Sequence, residues 1–265
     1  MPLLTIITIN YNNRSGLEKT IGSVGAQEYR VFEYIVIDGG STDGSKELIE
    51  AKSQELDYWV SERDKGIYHA MNKGIKRASG EYLLFLNSGD MLNGPDGLSR
   101  LLSGDPKEDI IYGDLVMQTE DGAWLKRHPD EITFDYFLRD TLPHPSSAIR
   151  KDLFDRVGFY NESFKIVSDW EFFMNAICRF NASYKHVPFP ISVFYQDGIS
   201  SNPKNDELIN KEKEKTLVGQ YAAFLPDYRL MDKYKSDLIN IKNSRLHNFI
   251  FRLQNSWVHR LLKRQ

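Results

Sequence analysis

Four short apolar runs in the first 90 residues, three of them followed closely by an aspartate, constrain this chain more than any other feature. The runs span residues 3–10, 32–38, 58–61 and 82–87 and are rich in Ile, Val, Leu and Tyr, as buried strands require. Helical patterns separate them at about 15–26, 45–53 and 67–78, the first opening on Ser15-x-x-Glu18, a capping-box pattern. Such alternation predicts right-handed βαβ units and a mostly parallel α/β sheet flanked by helices. In a sheet of that kind the carboxyl ends of the strands share one edge, where ligands bind. Asp38, Asp64 and Asp90 fall at or just past those ends, so one crevice is expected to collect all three.

The fourth run stops abruptly on Asn87-Ser88-Gly89-Asp90. A carboxylate on a glycine-hinged turn can hold a hard divalent cation beside a phosphate. The same four residue types also make plain turns. Asp38 could equally cap a turn, and Asp64 could be a surface charge among Glu62, Arg63 and Lys65. Their joint placement is what points to a site.

Composition narrows the class. A chain of 265 residues, 41% hydrophobic, suits one large α/β domain with an appendage. A net charge of −3 argues against a general nucleic-acid binder. The lone Cys178 excludes an internal disulfide, fits a reducing compartment, and reads as a small buried hydrophobe. Residues 1–7 lack the basic region and apolar core of a signal peptide, and no window approaches 18 apolar residues, so a cytoplasmic protein is expected. Neither Gly-x-Gly-x-x-Gly after the first run nor Gly-x-x-x-x-Gly-Lys-Ser/Thr anywhere is present, which argues against a dinucleotide-binding Rossmann domain and a P-loop enzyme.

The second half changes character. Residues 109–117 read as a strand, Asp121-Gly122 as a hairpin turn, and 124–127 as the returning strand. His144 lies in a Pro-flanked turn before a strand at 146–149 and a helix at 151–157. Asp169 opens a helix at 170–179, with Ser168 or Asp169 as its N-cap. Residues 184–195 read as two strands broken by Pro188 and Pro190, and Asp114 as a turn residue. From about 205 the chain is helical.

Residues 233–265 carry eight Lys and Arg against one Asp, a charge of +7 that leaves about −10 on the rest. Leu246, Ile250, Leu253, Trp257 and Leu261 recur at helical spacing, with Phe249 alongside. A basic amphipathic helix suits an anionic membrane surface, or packs on the domain with its basic side in water.

Five motifs in order make the chain similar to inverting nucleotide-sugar glycosyltransferases of family 2, with the GT-A fold. They are residues 5–10, 35–44 (Ile-Val-Ile-Asp-Gly-Gly-Ser-Thr-Asp-Gly), 64–74 (Asp-Lys-Gly-Ile-Tyr-His-Ala-Met-Asn-Lys-Gly), 80–90 and 168–171 (Ser-Asp-Trp-Glu). The likeness covers about 3–197. It implies a glycosyltransferase domain over 1–200, with a donor-binding half at 1–112, an acceptor half at 113–200 and a helical basic extension at 201–265. It implies that Asp38 holds the nucleotide base, that Asp64 lines the nucleoside pocket, that Asp90 binds Mn2+ or Mg2+ on the diphosphate, and that Asp169 is the general base. Thr8, Asn10, Gly40, Gly66, Asn87 and Ser88 fall within the donor-binding motifs.

The usual metal turn of such enzymes is Asp-x-Asp; here Asn87 stands in the first place and only the Asp90 carboxylate remains. Asn72 and Lys73 either reach phosphate or are ordinary helix surface. His144 either touches the diphosphate or metal or is a packed or solvent-facing histidine. Glu171, the rival base, points about 200° round the helix from Asp169. Trp124, Tyr136, Phe137 and Trp170 are available to stack on sugar faces.

The implied chemistry is attack of an acceptor hydroxyl on a sugar C1 with inversion, UDP being the default nucleotide. The implied acceptor is a saccharide or lipid-linked saccharide in assembly of a bacterial surface polysaccharide, at the inner face of the plasma membrane. A sugar nucleotidyltransferase and a lapsed, non-catalytic binding module are the alternatives. The segment 10–16 is a poor match to the glycine-rich loop of the former.

Overall fold

Strand pairing in the computed structural model, which describes residues 2–104, 106–196 and 198–243, follows the parallel scheme expected. The first half runs β1 (Leu4–Asn10), α1 (Arg14–Gly25), β2 (Phe32–Asp38), α2 (Ser45–Ala51), β3 (Tyr58–Ser61), α3 (Ile67–Arg77) and β4 (Tyr82–Asn87). β1 pairs parallel with β2 and β4, and β2 with β3. The second half adds β5 (Met91–Leu92), α4 (Gly97–Leu101), β6 (Ile110–Thr119), β7 (Gly122–Lys126), α5 (Phe134–Arg139), β8 (Ser147–Arg150), α6 (Leu153–Val157), α7 (Ser168–Cys178) and β9 (Tyr184–Tyr195). Together they make one nine-stranded sheet in the order β3-β2-β1-β4-β8-β6-β9-β5, with β7 on β6. Antiparallel β8 between β4 and β6 makes it mixed.

Both faces are covered, which is why β1 is buried at every position. One face packs Leu4, Ile6, Leu84 and Leu86 under Leu17, Ile21 and Val24 of α1. On the other, a Cβ on Gly74 of α3 would sit 2.5 Å from Cγ2 of Ile7, so only glycine lets that helix rest so close. Phe85 of β4 stacks on His144 (4.9 Å between centroids) and meets Phe154 and Tyr160 edge-on, an aromatic cluster that ties the two halves together.

Several local expectations are corrected. α1 is capped by Asn13, not Ser15: the Asn13 side chain accepts from the Gly16 N–H. Its amide also donates to Ser88 O, so one residue caps the helix and ties the β1 and β4 loops, which Ser15 cannot do. α7 has Val167 at its N-cap, so neither Ser168 nor Asp169 caps it; the Ser168 hydroxyl instead accepts from Asn161 N. Residues 184–195 form one strand. A register shift opposite Gly113–Leu115 absorbs Pro188 and Pro190, as a bulge permits. Cys178 is exposed.

The chain divides into Met1–Lys213 and Glu214–Gln265. α8 (Asp206–Gln220) begins in the first unit. In the second unit, α9 (Leu225–Asn243) exposes Leu230, Tyr234, Leu238, Ile239 and Ile241. Leu246, Phe249, Ile250, Leu253, Trp257 and Leu261 lie outside the described residues. No described helix is long and apolar enough to cross a membrane.

Candidate active site

The sheet register brings the strand ends to one line: Asn10 pairs with Asp38, Asp38 with Ser61, and Ile9 with Asn87. Asp38 is fully buried there. Its Oδ1 accepts from Asn10 Nδ2 (2.7 Å) and Ser41 Oγ (2.5 Å), and its Oδ2 from Ser41 N (3.0 Å) and Ser61 Oγ (2.6 Å). Burial alone would raise this carboxyl, but the four donors outweigh it and hold the pKa below the usual carboxylate range. Asp38 therefore shapes the loop at 39–44. Gly40, at φ 79°, is required there, since a Cβ would lie 3.2 Å from the backbone N of Arg63. Thr8 does not reach the edge: it is buried, with Oγ1 3.0 Å from the Tyr34 hydroxyl. Its place in a donor-binding motif reflects strand packing.

Asp64 is less completely satisfied. Its Oδ1 bonds His69 Nδ1 and Lys73 Nζ, both at 2.8 Å, while Oδ2 is buried with no hydrogen-bond partner. Gly66, at φ 144°, turns the chain from this loop into α3. Lys73 is held between Asp64 and Glu62 (2.7 Å), so its charge is largely matched. Asn72 points elsewhere: its amide donates to Tyr160 O and Glu162 Oε1 and its oxygen accepts from Tyr160 N. It locks α3 to the loop before α7 rather than facing phosphate.

At the end of β4, Asn87 Oδ1 is buried without a partner. Asp90 Oδ2 accepts from the Asn87 N–H at 3.2 Å, and Ser88 O is held by Asn13. Gly89, at φ 111°, allows the reversal that brings Asp90 back over the strand end. The described residues contain no group of three or more His, Cys, Asp or Glu placed to hold a metal by themselves. One carboxylate and one orphaned amide oxygen nevertheless fit a hard cation as a partial shell, to be completed by phosphate oxygens.

Asp169, second residue of α7, meets the first half of the sheet through Tyr68 of α3, whose hydroxyl lies 3.0 Å from Asp169 Oδ1 and 2.5 Å from Ile166 O. Burial and then the adjacent Asp169 charge push the Tyr68 phenol well above its usual pKa, so it remains a proton donor. Glu171 is buried and takes a bond from Asn161 Nδ2 (3.2 Å), away from Asp169. His144 is the packed histidine: Nε2 bonds the Tyr160 hydroxyl at 2.9 Å and burial lowers its pKa. In the segment that leads to Asp169, Glu212 of α8 accepts from the backbone N–H groups of Lys165 (2.7 Å), Ile166 (3.1 Å) and Val167 (3.2 Å).

Asp169 also borders a cavity of about 260 Å3, lined by the apolar Leu115, Met117, Leu142 and Val167 and by the polar or charged Lys126, His128, Thr141, His144, Ser200 and Lys213. Trp170 lines it, with Lys213 Nζ 5.2 Å from its ring centroid. Phe137 is buried in the core, and Trp124 is exposed on β7 and does not line this cavity. Asp114 is no turn residue: buried in β6, it accepts from His128 N (2.9 Å) and lies 3.0 Å from His186 Nε2. Tyr68, His128, Thr141 and Glu212 escaped sequence reasoning. Tyr68 alone carried a signal, sitting one turn past Asp64 in a motif already singled out.

Residues 5–169 match glycosyl transferase family 2. The chain is 38% identical over 181 residues to an uncharacterized glycosyltransferase of Mycobacterium tuberculosis, covering 66% of this chain and 69% of that one. It is 28% identical over 231 residues to a PGL/p-HBAD biosynthesis glycosyltransferase of Mycobacterium bovis, covering 82% and 87%. Among solved structures, Staphylococcus aureus TarS 1-349 in complex with UDP-GlcNAc superposes with a TM-score of 0.59 at 19% identity; the match takes in 72% of this chain and 58% of that one. A mannosyltransferase from Pyrobaculum calidifontis, in complex with GDP-Man and Mn2+, gives 0.57 at 17% identity, covering 99% and 86%. The mostly parallel sheet, the acidic residues along its carboxyl edge and the sequence match over most of the first unit agree: the chain belongs to glycosyl transferase family 2 and is a glycosyltransferase.

Proposed function

We propose that the enzyme transfers a sugar from a nucleotide-sugar to an acceptor hydroxyl with inversion, in assembly of a bacterial surface polysaccharide or other glycoconjugate. The observation that carries this reading is the meeting of two half-sites through Tyr68. That residue lies one turn after Asp64, whose unpaired Oδ2 suits a nucleoside group, and its hydroxyl reaches Asp169, which borders the cavity. Donor contacts fall to Asp64, to the loop that Asn10, Asp38 and Gly40 build, and to Asn87 and Ser88. Asp90 and Asn87 would hold Mn2+ or Mg2+, which when bound supplies charge neutralisation for the leaving diphosphate.

Asp169 removes the acceptor proton as the hydroxyl attacks C1 from the face opposite the diphosphate. Protonated Tyr68 keeps that carboxylate aimed without competing for the proton. Tyr68→Phe is expected to lower kcat about tenfold, as a loosened base does, while nucleotide binding is retained. Unchanged kcat would remove Tyr68 from this role.

The donor class is tested by thermal shift with UDP, GDP, dTDP and CMP, each with and without Mn2+. A ligand that binds only the folded state adds about 2.7 kcal/mol at a hundred times its dissociation constant. UDP is expected to shift the melting temperature, more so with Mn2+. Shifts independent of metal would retire the Asp90 site, and no shift with any nucleotide would contradict the donor reading.

The likeness to a PGL/p-HBAD biosynthesis glycosyltransferase and the basic segment 233–265 support an acceptor at a membrane. In α9, Lys233, Lys235 and Lys242 run beside exposed Leu238, Ile239 and Ile241. Truncation after Leu230 is expected to abolish sedimentation with anionic vesicles; unchanged sedimentation would remove the tail from this role.

A further inference from the structure

We propose that His128 and Thr141 are specificity-determining residues for the acceptor: they form a subsite for one hydroxylated edge of a neutral sugar ring, and so decide which ring hydroxyl reaches Asp169. This deepens the transferase reading and rests on it.

Two unsatisfied side chains share one cavity. The His128 side chain is 1% exposed, yet neither of its ring nitrogens has a hydrogen-bond partner. The Thr141 hydroxyl is likewise buried and unpaired. Both line the cavity that Asp169 borders. Buried polar atoms are nearly always paired, and orphans of this kind call for a partner. Asp114 does not supply one: its Oδ1 lies 3.9 Å from His128 Nδ1, beyond hydrogen-bond reach, and is already engaged by the His128 N–H and by His186. The other polar linings are differently placed. Lys126 pairs with Asp140 at 2.7 Å, His144 Nε2 bonds the Tyr160 hydroxyl at 2.9 Å, the Lys213 ammonium lies over the Trp170 ring, and Ser200 is exposed. Among the residues that line this cavity, only His128 and Thr141 keep buried side-chain atoms without a partner.

Burial, and then the Lys126 charge, lower His128 to a pKa of about 4, so its ring is neutral near pH 7 and offers one donor and one acceptor. The Thr141 hydroxyl also gives and takes hydrogen bonds. An anion only accepts, and would leave the acceptor nitrogen of His128 unmatched while facing the Asp169 carboxylate. A cation only donates. Sugar hydroxyls do both and can satisfy both side chains. At about 260 Å3 the cavity holds one ring rather than a chain of them. Lys126 and Lys213 remain able to take further hydroxyls, so the cavity does not limit how many the ring carries. What it demands is a hydroxyl at His128 and Thr141. A site built this way rejects an analogue that lacks the hydroxyl, because its buried polar atoms are then unpaired again. A ring held by that edge presents one particular hydroxyl to Asp169, so the pair sets linkage as well as affinity.

The test uses the full chain with the nucleotide-sugar it turns over. Transfer is measured to methyl glucoside, galactoside and mannoside and to their monodeoxy analogues. With the natural chain, removing one hydroxyl other than the reacting one is expected to lower kcat/KM at least about a hundredfold. Thr141→Val is expected to raise the KM of the parent acceptor about tenfold with little change in the donor KM. In that variant the same deoxygenation should cost only about tenfold, since the partner is already gone. Thr141→Ser should restore the natural pattern. His128→Leu should melt no lower than the natural chain, because it deletes buried polar atoms that had no partner, while its acceptor KM rises. A deoxygenation loss unchanged in Thr141→Val overturns the proposal, as does the lack of any hydroxyl beyond the reacting one whose removal matters, which would leave buried water as the occupant. A lower melting temperature with an unchanged acceptor KM in His128→Leu also overturns it, as the mark of a histidine that only packs. Donor turnover with no transfer to any methyl glycoside overturns it too, leaving the transferase reading intact. No nucleotide release from any nucleotide-sugar removes both.

Discussion

Asp169→Asn is expected to abolish transfer while leaving the donor bound. A general base at the reacting hydroxyl contributes about 10²–10⁴-fold, and the amide keeps the shape of the carboxylate but cannot take the proton. The side chain is only half-buried and caps nothing, since Val167 holds the N-cap. The fold should therefore lose at most about 1 kcal/mol, the value of an acid near a helix N-terminus. The Tyr68 hydroxyl can still donate to the amide oxygen, so the local geometry survives. The check is kcat with saturating donor alongside the thermal shift given by nucleotide. Transfer near the natural rate would make Asp169 a structural acid and reopen the choice of base. Glu171, turned to Asn161, is poorly placed to replace it.

Glu212→Ala is expected to cost the most stability of any single surface-helix substitution considered. One buried carboxylate serves three consecutive backbone N–H groups in the segment that enters α7. Removing it strands those donors at about 1–3 kcal/mol each, so a loss of about 3–5 kcal/mol is expected after partial relaxation. Urea unfolding of the full chain measures it, as a lower midpoint with an unchanged slope. Activity should fall as well, because Ile166 O is where Tyr68 anchors and Asp169 follows three residues later. Glu212→Gln, keeping one acceptor without the charge, should fall between the two. A stable Ala variant would mean the loop at 165–167 holds its shape without α8.

The first half was readable because its signals are redundant. β1, β2 and β4 are nearly continuous apolar runs, each stopping where the chain turns polar, and only a parallel sheet covered on both faces accounts for that. The line of acids along one edge followed from topology alone. What sequence could not show was which of those acids is already satisfied. Asp38 and Asp64 occupy equivalent positions, yet Ser41, Ser61 and Asn10 saturate the first while the second keeps an oxygen open. Hydroxyl donors from two separate loops decide this, and spacing does not report them. The partners of Asn72 and Lys73 were hidden for the same reason: each lies far away in sequence or across the loop. The cavity is harder still to foresee, because 115–117, 126–128, 141–145 and 166–170 meet only once β6, β7 and α7 are packed. The broken-strand reading of 184–195 shows the opposite case, a local rule about proline overridden by a bulge in the partner strand pairing.

Release of nucleoside diphosphate tests the central claim most directly. The full chain is incubated with UDP-, GDP- and dTDP-sugars, with Mn2+ and with chelator, in the presence of simple methyl glycosides as acceptors, beside its Asp169→Asn variant. The account predicts that one donor is turned over at least about a hundredfold faster by the natural chain than by the variant. Turnover of no donor, or equal turnover by both proteins, would contradict it.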